Sequence, residues 1–304
     1  MFKKVLSMVL SAVMVLGMGT TAFATENSIL ENGATDYLIY DIETGQTTSH
    51  SFDDLPDSAS QSSPGYFPVP SERALIGGEG SLNKITNTAQ GPYCNTVYIE
   101  IVYQNGTNST FTGFMIGPSA VATAGHCVIN AYNNGFQSIN VIPAKNGTTE
   151  PYGRTTAKKI IIPDYVASGP AADDWAILEL NSPIGNQTGW LGLKWTSSSY
   201  NGTNVISTGY ADYGTISSQL PTDSYMYKGT GTVKSTTTNI LKGDWSAVSG
   251  FSGGPVFAYY SDTGYTAIGI LTGGGANGPN YSSSVYTTAT RITKRIYDLF
   301  LTYR

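Results

Sequence analysis

From residue 74 to its end, the chain consists mostly of apolar runs of strand length separated by turn residues. "NTVYIEIVY" (95–103) is bounded by "QNGTNS"; "FTGFMIG" leads to "AVATAGHC"; "KKIIIP" precedes "DYVASGPAADD"; "WAILEL" precedes "NSPIGNQTG". "TNVISTGYA", "YMYKGTGTV", "PVFAYY" and "YTAIGILTGG" continue the pattern. Runs this short, and this regularly interrupted, cannot supply helices long enough for a bundle; they predict an all-β protein built as a barrel or sandwich. Charged residues make up only 12% of the chain, beside 35 glycines and 21 tyrosines, which suits short strands and many turns. The Asn-Gly-Thr triplets at 105, 146 and 201 match a glycosylation pattern but read first as hairpin turns. The tail alone departs: "TRITKRIYDLFLTYR" places Ile292, Ile296, Leu299 and Phe300 at helical spacing, predicting a C-terminal helix docked on the sheets.

The first 24 residues have the pattern of an export signal, with Lys3 and Lys4, an apolar run from Val5 to Met18, and Ala22-Phe23-Ala24 as the cleavage site. Residues 25–73 carry nine acidic residues against the single base Arg73, whereas 74–304 carry 12 acids and 13 bases. The negative balance therefore belongs to the leader, and no basic patch points to nucleic acid. The leader ends in "SASQSSPGYFPVPSER", which should be exposed and easily cut. It reads as a pro-segment released after Arg73, or as a disordered tail that stays attached. The organisation expected is a signal peptide (1–24), an acidic pro-segment (25–73) and a domain spanning 74–304, divided near residue 190. The mature product is expected to be secreted, soluble and monomeric, with no membrane or nucleic-acid partner.

The chain has two histidines. His50 lies in the leader, which leaves His126, in "ATAGHC", as the only imidazole after Arg73. A serine hydroxyl attacks an amide only if a base takes its proton, and that base must be held by an anionic partner. Ser252 in "GFSGGPVF" is the nucleophile candidate, His126 the base, and Asp174, just before "WAILEL", the orienting carboxylate. A glycine-rich turn around the serine also lets backbone N–H groups face a developing oxyanion, and Gly250 and Ser252 are the candidate donors. The order His, Asp, Ser makes the set far more specific than any one of its members.

"TAGHC", "DDWAILEL" and "GFSGGPVF" resemble the three catalytic motifs of chymotrypsin-like serine proteases. Within that superfamily the chain is similar to the secreted bacterial glutamyl endopeptidases, through "FTGFMIGPSAVATAGHC", "NGTTEPYG", "IIIPDY", "WAILELNSPIGN", "STGY", "AIGILTGG" and "TRITK", across nearly all of 74–304. The resemblance implies two Greek-key β-barrels, with His126 and Asp174 from the first and Ser252 from the second, acting on peptides or proteins without a cofactor. It also favours Asp174, six residues before Leu180, over the adjacent Asp173, whose other reading is a solvated loop charge. The third motif carries Phe251 where trypsin-like zymogens place an aspartate before the nucleophile. A phenyl ring cannot pair with a new N-terminal ammonium, so "ALIGG" after Arg73 does not imply the trypsinogen switch. Inhibition relieved by loss of the leader is expected instead.

The family's acid-binding residues are absent. Leu271 replaces the histidine before the pocket, and Ala247 replaces the hydroxyl residue five positions ahead of the nucleophile. A glutamate side chain would lose its water there and gain little, a cost of several kcal/mol for an unpaired buried carboxylate. A neutral, largely apolar pocket formed by Ser246, Ala247, Leu271, Thr272, Gly273 and Gly274 is expected, the alternative being a pocket rebuilt to bind acid by other groups. A noncatalytic peptide-binding homologue is the other alternative. Cys94 and Cys127 are the only cysteines, and export favours pairing them. Chymotrypsin-like enzymes usually place the partner cysteine at the position of Phe111, so two free thiols are the alternative. Two cysteines and one histidine build no ordinary zinc site, and no metal is expected.

Overall fold

Alternation within single strands sets the fold. In "TVYIEIV" (Thr96–Val102), Val97, Ile99 and Ile101 are fully buried while Tyr98, Glu100 and Val102 remain partly exposed. Each such buried aliphatic side chain contributes roughly 1.5–3 kcal/mol relative to exposure. The computed structural model describes residues 36–69, 82–164, 173–211, 224–273 and 286–304. The leader supplies β1 (Tyr37–Asp41), β2 (Thr47–His50) and β3 (Ser62–Ser63), and the short β4 (Leu82–Lys84) follows.

The first barrel is formed by β5 (Thr96–Val102), β6 (Asn108–Gly117), β7 (Ala120–Thr123), β8 (Ser138–Pro143), β9 (Thr155–Pro163) and β10 (Ala176–Leu180), with helix α1 (Gly125–Asn134) between β7 and β8. Its strands run in the order β10-β7-β6-β5-β8-β9, and pairing of β9 with β10 closes the ring. A short helix α2 (Gly185–Thr188) and strand β11 (Gly192–Lys194) lead to the second barrel. That barrel comprises β12 (Asn204–Tyr210), β13 (Met226–Thr236), β14 (Ile240–Gly243), β15 (Pro255–Tyr260), β16 (Gly264–Gly273) and β17 (Thr287–Arg291), in the order β15-β12-β13-β14-β17-β16, closed by β15 on β16. The two closed six-stranded barrels are those of the chymotrypsin-like fold.

One apolar cluster crosses between the barrels, joining Ile206, Phe257 and Ile270 to Phe114, Val121 and Ile177. A hydrogen bond between the Thr96 and Thr208 hydroxyls, 2.7 Å long and buried, also crosses this seam. The C-terminal helix α3 (Lys294–Thr302) forms where its apolar spacing predicts, with Ile292, Ile296, Leu299 and Phe300 fully buried. The Asn105-Gly106 turn joins β5 to β6 as a hairpin, with Thr107 N–H donating to the Asn105 side chain at 3.0 Å.

Two expectations need correction. Over 36–69 the leader is not a disordered tail, because β1 pairs with β2 and β9 and β3 pairs with β11. The residues 1–24 and the Arg73–Ala74 bond lie outside the described residues. Cys94 and Cys127 are not joined: both are buried free thiols. Cys94, in the turn Tyr93–Asn95, points at α2 and donates to the Thr188 carbonyl at 3.1 Å, while Cys127 lies in the first turn of α1 with its sulfur 3.7 Å from His126 Nε2. Each sulfur faces a different element, so the geometry of a bridge is not met. Burial pushes the Cys94 thiol pKa up to about 12.

Candidate active site

His126 and Asp174 meet because β7 and β10 are neighbours. Ala176 lies opposite Thr123, so the residues just before β10 and just after β7 emerge together at one end of the first barrel. His126, the second residue of α1, donates its backbone N–H to Asp174 Oδ1 at 2.8 Å, and its Nδ1 is 2.6 Å from Asp174 Oδ2. An ionised carboxylate only accepts, so Nδ1 carries the proton and Nε2 is the ring nitrogen left to accept. The imidazole side chain is 41% exposed and the carboxylate 15%. Burial lowers the imidazole pKa, but hydrogen bonding to Asp174 and contact with the Cys127 sulfur outweigh it, and the net direction is upward. The Asp174 carbonyl also accepts from the Thr290 hydroxyl of β17 at 3.1 Å, which ties this corner to the second barrel.

Asp173 has a different partner. It is buried and pairs with Arg295 of α3, so it is neither the imidazole's carboxylate nor a solvated charge.

Ser252 lies in the turn before β15 and is held from both barrels. Its carbonyl accepts from Thr112 N–H at 3.0 Å, and the following Gly253 N–H donates to the Leu271 carbonyl at 2.7 Å. Gly253 has φ +85°, and a Cβ there would stand 2.1 Å from Thr123 Oγ1, 2.2 Å from the Thr112 carbonyl and 2.9 Å from Ala124 N. Only glycine fits. The backbone beside Ser252 is thus pressed against the strand end from which His126 projects. No hydrogen bond joins the Ser252 hydroxyl to His126, whose Nε2 lies 3.7 Å from the Cys127 sulfur. Gly250 adopts φ +91°. Its N–H and that of Ser252 donate to no other backbone group among the described residues.

Phe251 is fully buried in the core of the second barrel. Its ring lies against Gly209, where a Cβ would come within 2.6 Å of Phe251 Cγ. The residue before Ser252 therefore anchors the turn by packing. Of the expected pocket residues, Ala247 and Leu271 are 1% exposed within that same core, Ser246 is buried, and Thr272 and Gly273 are half-buried. Gly274 lies outside the described residues.

Thr112 is the residue that sequence reading missed. It is buried, its hydroxyl donates to the Gly250 carbonyl at 2.7 Å and accepts from Tyr210 N–H at 3.0 Å, and its backbone holds Ser252. The available signal is a polar side chain inside the apolar run "FTGFMIG". Replacing it with valine keeps the shape and removes two hydrogen bonds, leaving a buried carbonyl and a buried N–H unpaired at about 1–3 kcal/mol each. Thr112→Val is expected to lower kcat at least tenfold with a smaller change in KM, and Thr112→Ser is expected to restore it. Equal losses in both variants would contradict the role.

A family model described as Trypsin matches residues 86–296. A glutamyl endopeptidase of Bacillus licheniformis is 33% identical over 247 residues, covering 80% of this chain and 72% of that protein. An extracellular metalloprotease of Bacillus subtilis is 32% identical over 225 residues, covering 73% of this chain and 67% of that protein. Among solved structures, that of a Glu endopeptidase in complex with MPD superposes with a TM-score of 0.60 at 22% identity, covering 75% of this chain and 98% of the other.

Proposed function

The chain belongs to the trypsin family and is a serine endopeptidase, and from that premise we propose that it is exported and works through Ser252, His126 and Asp174. Ser252 Oγ attacks the substrate carbonyl while His126 Nε2 accepts its proton, and the Nδ1–H···Asp174 hydrogen bond stabilises the imidazolium. The carbonyl oxygen, now an oxyanion, accepts from the N–H groups of Gly250 and Ser252. His126 then gives the proton to the leaving amine, an acyl-enzyme remains on Ser252, and water hydrolyses it by the same steps in reverse order. The observation that carries this reading is the double hold of Asp174 on His126, at 2.8 Å to the backbone and 2.6 Å to the ring.

The neutral pocket is part of the proposal. Relatives from Bacillus licheniformis and Staphylococcus epidermidis are glutamyl endopeptidases by name. In this chain Ala247 and Leu271 sit in an apolar core, and neither offers a partner to a carboxylate. Matched peptides differing only in Glu, Leu or Phe at P1 are expected to be cut faster at Leu and Phe, by tenfold or more in kcat/KM, since a buried carboxylate lacking partners costs several kcal/mol. A preference for Glu would end this part of the proposal and favour a rebuilt acid-binding pocket.

The name of the Bacillus subtilis relative points to a metal. Among the described residues no group of three or more His, Cys, Asp or Glu side chains could hold one, and that reading is not carried over. No helix among the described residues is long and apolar enough to cross a membrane. We assign residues 1–24 to an export signal and residues 25–73 to a pro-segment cut after Arg73. The acidic balance of that segment and its Ser/Pro-rich end support the assignment.

A further inference from the structure

We propose that the leader is not shed when the Arg73–Ala74 bond is hydrolysed but stays bound through residues 36–69, as non-covalent strands of the active enzyme. The proposal rests on the Arg73 cut assigned above and departs from the simple expectation that the leader is lost. Hydrolysis there consumes one water and leaves a carboxylate on Arg73 and an ammonium on Ala74. It breaks no contact made by residues 36–69.

Those contacts tie the leader to both barrels. On the first barrel, β8 pairs with β9 only at Thr155 and Thr156. The leader takes up that strand beyond them: β1 runs antiparallel along it from Tyr37 opposite Pro163 to Asp41 opposite Lys159. The ladder is extended by Ile42 N–H to the Lys158 carbonyl at 2.9 Å and Asp164 N–H to the Asp36 carbonyl at 3.2 Å. The side chains are engaged as well as the backbone. Tyr37 is 5% exposed and belongs to the barrel's apolar cluster. Phe52 lies 6.1 Å from the ring of Trp175, the residue after Asp174, and the Arg295 guanidinium lies 5.2 Å from the Phe52 ring. Tyr40 meets Tyr132 of α1 edge-on at 5.6 Å.

On the second barrel's side, Ser62 and Ser63 pair with Lys194 and Leu193 of β11. Trp195 donates its backbone N–H to the Gln61 carbonyl at 2.9 Å and its indole N–H to the Ser60 carbonyl at 3.1 Å. Tyr66 and Trp190 exchange two backbone hydrogen bonds of 2.9 Å, with their rings 4.7 Å apart. Asp57 pairs with Lys294 at the start of α3. A peptide held along two strand edges, with an aromatic side chain in the core, behaves as part of the fold. Among the described residues, no hydrogen bond, ion pair or ring contact joins residues 36–69 to His126, Gly250 or Ser252.

The test uses the full chain in a Ser252→Ala background, so that self-digestion plays no part. A recognition sequence for a site-specific protease replaces residues 70–73, the chain is cut there, and the product is passed over a native sizing column at low micromolar concentration. The two pieces are expected to elute together in equimolar amounts and to separate only in denaturant. In the Tyr37→Ala, Phe52→Ala double variant the leader is expected to elute apart from the body. If the parent leader elutes separately after cutting, the proposal is overturned. The intact mass of the naturally secreted protein, measured in denaturant, independently shows whether the natural cut follows Arg73, so an error in that assignment gives a different result from failed retention.

Discussion

Ser252→Ala is expected to lower kcat by roughly a million-fold on any good peptide substrate, because a nucleophile and its base act as a unit and removing one forfeits nearly all that the set supplies. KM should change little, since the hydroxyl makes no hydrogen bond that the ground state needs. The folded protein should be as stable as the parent, as Ser252 is held through its carbonyl rather than its side chain. A phosphonylating serine reagent should label the leader-cut parent at one site and leave the variant unlabelled. Stoichiometric labelling of Ser252→Ala, or a loss of less than a hundredfold, would remove Ser252 from the mechanism.

Asp174→Asn should cost about 10⁴ in kcat. The amide presents an N–H toward Nδ1, which forces the imidazole proton onto Nε2, and Nε2 can then no longer accept from Ser252. The pH dependence gives a second readout. Asp174 raises the His126 pKa against the effect of burial. Catalysis needs the neutral imidazole, so activity in the parent should rise with pH through a value above the ordinary 6.5 or so. Without the carboxylate, burial acts with less opposition, and that limb should move to lower pH. The stability effect has the opposite sense. A folded-state pKa raised above the unfolded value stabilises the parent fully below about pH 6.5, and this contribution is lost as pH rises through the folded value. The variant's deficit in Tm should therefore shrink as pH rises through that range. A deficit that grows with pH would contradict the sign of the shift.

The residues proposed for chemistry were legible because each lies in a short, self-announcing sequence. "TAGHC" and "GFSGGPVF" carry small residues where backbone must approach backbone, and Gly253 demonstrates the need directly. Phe251 was legible as a residue that cannot pair with an ammonium, but its packing on Gly209 was not, since that contact joins residues 42 positions apart. Thr112 escaped for the same reason, its partners Tyr210 and Gly250 being distant in the chain. The strands of the leader were the least legible, and only the alternative of a disordered tail is overturned by them. The acidic residues of the leader mask a pattern of strand type, in which "YLIY" and "TTSH" flank "DIETGQ" and form a hairpin of the ordinary kind. Pairing of the cysteines was argued from compartment alone, and compartment fixes whether a bridge survives without bringing two sulfurs within reach.

Those unjoined sulfurs bear on what holds such a molecule together. With no covalent staple among the described residues, everything that resists unraveling is reversible: barrel closure, buried aliphatic rows, the threonine contacts across the seam. Redox conditions around the protein then have little purchase on its persistence. The chain can complete its folding without waiting for an oxidant.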